Sequence, residues 1–134
     1  MISELSVSTH KRVEFVDITG QVQGAVRDAR VDTGTCIVYV PHTTAAVTIN
    51  ENADPDVQRD IIDQLERVVP RQGGYRHMEG NADAHIKASM LGFSATILVE
   101  NGALLLGTWQ GVYFCEFDGP RSRRVCVKVI ADPG

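Results

Sequence analysis

The stretch PHTTAAVTINENADP, residues 41–55, places one short apolar segment between two groups of polar side chains. A run of strand-forming residues precedes it, and Pro41 interrupts that run because proline has no N–H to donate within a sheet. A second strand is predicted over 45–51. Asp54 followed by Pro55 is typical of the first turn of a helix. The stretch therefore predicts strand, turn, strand and helix in close succession, with polar groups exposed at both ends of the second strand.

Along the rest of the chain, apolar residues either alternate, as in strands, or recur every three to four residues, as in helices. These two spacings predict about eight strands and two to three helices in all. The other strands are predicted over 2–7, 13–18, 35–40, 112–117 and 125–130, and as two arms about Asn101-Gly102. The helices are predicted from Thr19, as the cap, to Arg30, from Pro55 to Pro70, and from Asn81 to Gly92. The fold class is α+β: a largely antiparallel sheet or sandwich with the helices packed on it, in a single domain of residues 1–134.

Composition narrows the class of protein. Against 13 basic residues there are 17 acidic ones, a net charge of −4, which argues against a general nucleic-acid coat. No apolar run approaches the ~20 residues of a membrane span, and the first residues lack the apolar core of a signal peptide. The three cysteines lie in apolar runs without a CxxC motif. We expect reduced cysteines and a cytoplasmic protein with no nucleic-acid or membrane partner.

Three histidines, His42, His77 and His85, are candidate metal ligands. Neutral imidazole is a common zinc ligand, and three histidines leave a coordination position for water or substrate. Their spacing matches no local metal motif, although each lies in a loop or near the end of an element. Two interpretations stay open: one shared metal site, or separate surface and capping residues.

Several acidic and basic side chains lie where strands and helices end. Glu51 could be a surface carboxylate, a base or a metal ligand. Asp118 lies two residues after Glu116, on the same strand face if the strand continues, or else in an ordinary turn. Arg121 could bind phosphate through two nitrogens, and the helix start near Asn81 offers free N–H groups to an anion.

Four further residues are candidates for ligand contact. Thr43 and Thr44 could donate to phosphate oxygens or satisfy the backbone of a turn. Trp109 and Gln110 lie between glycines, where the indole packs or stacks on a ligand.

Three separated motifs resemble the YjbQ family: PHTTAAVTINENADPDV (41–57), HMEGNADAHIKASMLG (77–92) and GTWQGVYFCEFDGPRSRRV (107–125). The resemblance extends over residues 5–130. It implies an α+β fold with a sandwich-like core, and a homotrimer whose pockets lie near subunit contacts. The family carries the label secondary thiamine-phosphate synthase.

The resemblance implies an enzyme of small phosphorylated substrates. The labelled reaction joins hydroxymethylpyrimidine diphosphate to thiazole phosphate and releases pyrophosphate, a transferase reaction that we expect to be a side activity. The expected residues are Asp118, Glu51 and Arg121 in catalysis, Thr43, Thr44, Asn81, Trp109, Gln110 and Arg121 in substrate binding, and His42, His77 and His85 at a metal.

The expected cofactor is a divalent metal. Zinc or another transition metal suits the histidines, and magnesium suits a pyrophosphate substrate. Two alternatives stay open: a metal-dependent hydrolase using the histidines, and a non-catalytic trimer that binds a metabolite or a metal.

Overall fold

A computed structural model describes residues 1–134. The strands are β1 (Ile2–Ser8), β2 (Glu14–Asp17), β3 (Gly34–Tyr39), β4 (Ala45–Glu51), β5 (Ser94–Glu100), β6 (Ala103–Leu104), β7 (Gln110–Glu116) and β8 (Ser122–Ala131). The helices are α1 (Thr19–Ala29), α2 (Pro55–Val68) and α3 (Ala82–Leu91).

The strands form two antiparallel sheets that enclose the main core. The larger sheet has the order β1-β8-β3-β5-β6, and the smaller has the order β2-β7-β4. Alternate residues of each strand point between the sheets, as Val125 and Val127 of β8 and Val112 and Phe114 of β7 do. The predicted α+β class, with eight strands and three helices, is confirmed.

The helices cover the core unequally. Val22 and Val26 of α1 are fully buried in the main core. Ala84 and Ala88 of α3 pack on the outer face of the smaller sheet and form a second core there. None of the fourteen residues of α2 is buried, although its apolar residues recur at helical spacing. None of the three helices is both long enough and apolar enough to cross a membrane.

Two predictions from local sequence signals are confirmed. The Asp54 carboxylate caps α2 by accepting the N–H of Asp56 at 2.9 Å. Asn101 and Gly102 have φ of 54° and 72°, the left-handed conformation that a tight hairpin between β5 and β6 requires.

The predicted cap of α1 is wrong. Ile18 occupies the N-cap position, and Thr19 is the first helical residue. The Asp17 carboxylate accepts both the N–H and the hydroxyl of Thr19, at 2.9 and 2.6 Å. The Thr19 hydroxyl oxygen in turn accepts the N–H of Val112 in β7. This oxygen is the atom that would accept a helix N–H if Thr19 were the cap, so it is already occupied by a contact with a distant strand.

The three cysteines are free thiols, as predicted. Cys36 and Cys115 are buried, and burial raises the pKa of Cys36 to about 11 and also raises that of Cys115. Neither thiol is therefore ionised at neutral pH.

Candidate functional site

A polar cleft opens at one end of the main core, where the β3–β4 connection, the start of α3 and the β7–β8 turn meet. Its volume is about 490 Å³. The lining residues are Pro41, His42, Thr43, Thr44, Glu79, Asn81, His85, Asp118, Arg121 and Arg123. Antiparallel pairing of β4 with β7 places Ala45 opposite Glu116, which brings the end of β4 that follows Thr44 to the turn at Asp118.

The floor of the cleft is a buried ion pair between Arg123 and Glu116. The Arg123 Nε donates to Glu116 Oε1 at 2.9 Å, and Nη2 donates to Glu116 Oε2 and, at 2.8 Å, to the Thr44 hydroxyl. The carboxylate also accepts the Thr9 hydroxyl and the Asp118 N–H. Burial opposes ionisation of Glu116, but these donors outweigh it and hold its pKa below the usual range.

One nitrogen of Arg123 remains without a partner. The Arg123 side chain is only 4% exposed, yet Nη1 makes no hydrogen bond within the chain and is not sealed from solvent. Because Arg123 lines the cleft, this buried guanidinium presents a free donor to whatever occupies it.

The Asp118 carboxylate, in the β7–β8 turn, faces the start of α3 and is held between two donors. Asn81 Nδ2 donates to Asp118 Oδ2 at 2.9 Å, and Arg121 Nη2 donates to the same oxygen at 3.1 Å. Since a carboxylate only accepts, the Asn81 amide must direct its nitrogen toward Asp118. Asn81 precedes α3 but makes no side-chain cap for it. Its Oδ1 is buried without a partner.

His42 lies at the rim with one ring nitrogen already in use. Its Nε2 accepts the backbone N–H of Arg124 at 3.0 Å. Partial burial, followed by the positive charge of Arg123, lowers the His42 pKa. The ring is therefore neutral at pH 7 with its proton on Nδ1, which makes it a hydrogen-bond donor.

Acidification is expected to break the bond from Arg124 to His42. Protonation places a hydrogen on Nε2, which faces the Arg124 N–H. Since the folded pKa is lowered, the bond stabilises the protein fully above the unfolded value of about 6.5, and this stability is lost as pH falls below it.

The measurement is a pH titration of the imidazole nitrogens by NMR. It should show an Nδ1–H tautomer at pH 7 and a pKa below the ordinary histidine value, with the Arg124 amide resonance moving in the same transition. An Nε2–H tautomer at pH 7 would contradict the assignment.

The three predicted metal ligands do not converge on one point. His77 and His85 are neighbours, with ring centroids 5.2 Å apart, but His77 lines an adjoining pocket of about 400 Å³ with Tyr75 and Ile86, not the polar cleft. His42 and His85 both line the cleft. No group of three or more histidine, cysteine or acidic side chains is placed to hold a metal ion. These residues do not form a metal site within one chain, and a metal at all three stays a prediction.

Three other predicted site residues lie at the opposite end of the smaller sheet. Glu51 ends β4 opposite Gln110 of β7, and the backbone carbonyl of Trp109 accepts the N–H of Asn52 beside them. Glu51 is the last of the seven residues of β4, which begins beside the cleft and spans about 23 Å at ~3.3 Å per residue. Within one chain Glu51, Trp109 and Gln110 therefore form a separate group.

Sequence reasoning missed the role of Arg123, the deepest cation of the cleft. A signal for it was present: Arg123 alternates with Val125 and Val127, so it lies on the core face of its strand. A charged residue on a core face needs a buried partner, and Glu116 ends a neighbouring apolar run.

The fold and the cleft together define a class: small two-sheet α+β proteins with a polar cleft at one end of the core. The chain belongs to the family described as UPF0047 protein YjbQ-like, which matches residues 3–132. The resemblance identified in the sequence is confirmed.

Relatives and solved structures agree with this assignment. The chain is 51% identical to a UPF0047 protein of Methanocaldococcus jannaschii over 98% of this chain and 96% of the relative. It is 49% identical to the UPF0047 protein YugU of Bacillus subtilis over 97% and 99%.

Two crystal structures extend the agreement to the fold. A YjbQ/UPF0047 family protein of Clostridium acetobutylicum superposes with a TM-score of 0.94 at 56% identity, covering 96% of this chain and 99% of that one. A YbjQ-like protein of unknown function from Sulfolobus solfataricus superposes with a TM-score of 0.94 at 32% sequence identity. The match covers 98% of this chain and 97% of that one.

These findings overturn the function expected from the resemblance. The relatives carry the UPF0047 designation without an activity, and the Sulfolobus solfataricus structure is described as one of unknown function. The prediction of a thiamine-phosphate synthase-like enzyme is therefore wrong. The hydrolase alternative also lacks support, because the chain brings no three potential metal ligands together.

Proposed function

We propose that the polar cleft binds a small anionic molecule through its phosphate or carboxylate group. The observation that carries the proposal is Arg123, a buried guanidinium that lines the cleft and whose Nη1 makes no hydrogen bond within the chain. Glu116 and Thr44 occupy its Nε and Nη2, which fixes the direction of Nη1. A fixed donor of this kind needs no reorganisation to receive an oxyanion.

The groups around Arg123 also suit an anion. Arg121 is half exposed and holds Asp118, so it neutralises the nearest carboxylate of the wall. Thr43 offers a hydroxyl, and His42 offers its Nδ1–H because its Nε2 is already an acceptor. Glu79, 77% exposed at the mouth, is the remaining acid and adds little repulsion through solvent.

A second group of arginines serves as the comparison. Arg27 and Arg30 line a smaller cavity of about 240 Å³ with Asp32. They lie at the C-terminal end of α1, where the helix dipole is negative and disfavours an anion. The polar cleft is the better anion site, because it is larger and does not lie at the negative end of a helix dipole.

Replacement of Arg121 tests the proposal. Arg121→Gln should weaken inorganic phosphate binding roughly 10-fold, because it removes a charge-assisted donor from the cleft wall. Isothermal titration calorimetry with inorganic phosphate, at fixed ionic strength, measures the Kd of each variant. Arg124→Gln is the matched control: its side chain pairs with Glu4 outside the cleft, and its N–H to His42 is unaffected.

An equal loss of phosphate affinity in both variants would mean that only the net charge of the protein matters. That result would contradict a binding site in the cleft. No phosphate binding by the wild-type protein would remove the proposal altogether.

The expected homotrimer stays a prediction, with support from the surface. Tyr39, Leu98 and Ile130 are 49%, 59% and 45% exposed on the outer face of the larger sheet, where no element of the chain covers them. Exposed apolar groups on one face are typical of subunit contacts. Light scattering coupled to size exclusion should give three times the 14.6 kDa chain mass, and a monomer would contradict the prediction.

A further inference from the structure

Arg12 lies in the connection between β1 and β2, outside the polar cleft, and contacts both α3 and the β7–β8 turn, whose residues Asn81 and Asp118 form two facing walls of the cleft. Its guanidinium forms two hydrogen bonds with Asp83 of α3, from Nη1 to Oδ2 at 3.2 Å and from Nη2 to Oδ1 at 3.0 Å. Its backbone carbonyl accepts the N–H of Gly119, in the β7–β8 turn, at 3.0 Å. One residue therefore joins the element that carries Asn81 to the turn that carries Asp118.

The connection to α3 is a buried charge network. Asp83 and Lys87 are fully buried, and Lys87 donates to Asp83 at 3.1 Å and to Glu66 of α2 at 2.6 Å. Burial opposes ionisation of Asp83, but Arg12 and then Lys87 outweigh it, so the Asp83 pKa is lowered. With Arg12 the network contains two cations and two carboxylates.

Asp83 lies on the part of α3 that borders the cleft, so the charge network can affect the cleft residues. Asp83 lies midway between Asn81, the residue that precedes α3, and His85 of α3, both of which line the cleft. Side chains fixed at that point hold the first turn of the helix in place. A shift of Asp83 would move both cleft residues together.

The connection to the turn is equally close. A Cβ on Gly119 would lie 2.4 Å from the carbonyl oxygen of Lys11, so the two backbones are in direct contact. Thr9 donates its backbone N–H to the Arg121 carbonyl, and its hydroxyl accepts the Arg121 N–H, both at 3.0 Å. The β1–β2 connection thus supports the turn from outside the cleft.

We propose that Arg12 is a positioning residue that sets the separation of the two cleft walls, and through it the affinity of the cleft for its anion. This inference rests on the proposed function. The bond that Arg12 controls is the one from Asn81 to Asp118, 2.9 Å long, which spans the walls. Arg12 itself does not line the cleft.

The experiment compares Arg12→Gln with Arg12→Lys, using inorganic phosphate as the probe. Arg12→Gln should weaken the Kd about tenfold, and Arg12→Lys, which keeps the charge beside Asp83, should recover most of that loss. Arg59→Gln is the control, because Arg59 forms an exposed pair with Asp56 on α2. Calorimetry is done at a temperature where circular dichroism shows every variant fully folded.

A second readout separates positioning from stability alone. The Asn81 side-chain amide, assigned in the NMR spectrum by its loss in Asn81→Ala, should report its bond to Asp118. Its resonance should shift toward that of a free amide in Arg12→Gln, stay near the wild-type position in Arg12→Lys, and stay unchanged in Arg59→Gln.

Wild-type affinity together with an unshifted Asn81 amide in folded Arg12→Gln would overturn the proposal. If wild-type protein does not bind phosphate, the proposed function fails, and the Asn81 amide then decides the role of Arg12 by itself: an unshifted resonance overturns it.

Discussion

Replacement of Arg123 by leucine is expected to lower the free energy of unfolding by about 3–5 kcal/mol, because it leaves Glu116 buried without its cation. Glu116 would keep only the Thr9 hydroxyl and the Asp118 N–H as donors. Urea unfolding at pH 7, followed by circular dichroism, measures the loss.

Two comparisons identify the cause of that loss. The double variant Glu116→Leu with Arg123→Leu should recover most of the stability, since an apolar pair of similar volume replaces a buried ion pair at little cost. Without Arg123 the pKa of Glu116 should rise, so the deficit of the single variant should narrow as pH falls toward 4–5. A single variant within about 1 kcal/mol of wild type would show that the pair is not buried as described.

Asp83→Asn should also destabilise the protein by about 3–5 kcal/mol. It removes the carboxylate shared by Arg12 and Lys87, and the fully buried ammonium of Lys87 then retains Glu66 alone. The control is Asp56→Asn, in an exposed ion pair on α2, where we expect less than about 1 kcal/mol. Equal stabilities of the two variants in urea would contradict the account.

The pH dependence of stability tests both buried carboxylates, Asp83 and Glu116. The folded pKa values of Asp83 and Glu116 are both lowered. Their contributions are therefore fully present above the ordinary carboxyl values of about 4, and are lost as pH falls through the lowered folded values. Wild-type stability should fall steeply below about pH 4, and Asp83→Asn should lose less over the same interval because one of the two carboxyls no longer titrates.

Local chemistry made much of the fold predictable. The effects of Asp54-Pro55 and of Asn101-Gly102 reach only a few residues along the chain. The first pair starts α2, and the second forms the hairpin between β5 and β6, as predicted. Thr19 misled the prediction because its hydroxyl is bonded to Val112, more than ninety residues away. Contacts at that range leave no local pattern.

In the candidate site, too, some residues could be predicted from the sequence and others could not. His42, Asn81, Asp118 and Arg121 were predicted site residues, and the structure brings them to one cleft. The pairing of β4 with β7 brings the end of β4 that follows Thr44 to the turn at Asp118, and no local pattern in the sequence indicates that pairing. Glu51 was expected to act with Asp118 and Arg121, although the strand predicted over 45–51 already placed it at the end away from His42, and the structure has it there.

The long-range partners of the buried cations were the hardest features to predict. Arg12 and its ion-pair partner Asp83 are 71 residues apart, and Arg123 and the Thr44 hydroxyl that it contacts are 79 apart. No local pattern in the sequence indicates either contact, whereas Glu116, the ion-pair partner of Arg123, is only seven residues away. Their positions follow from how the two sheets and α3 pack.

The central claim is that the polar cleft binds a small anion, and a titration of isotopically labelled protein with inorganic phosphate tests it most directly. We predict saturable shifts of the backbone amides of Thr43 and Thr44 and of the side-chain Nε–H of Arg123. Shifts confined to Arg27 and Arg30, or to Trp109 at the opposite end of the smaller sheet, would contradict the claim, as would a spectrum that phosphate leaves unchanged.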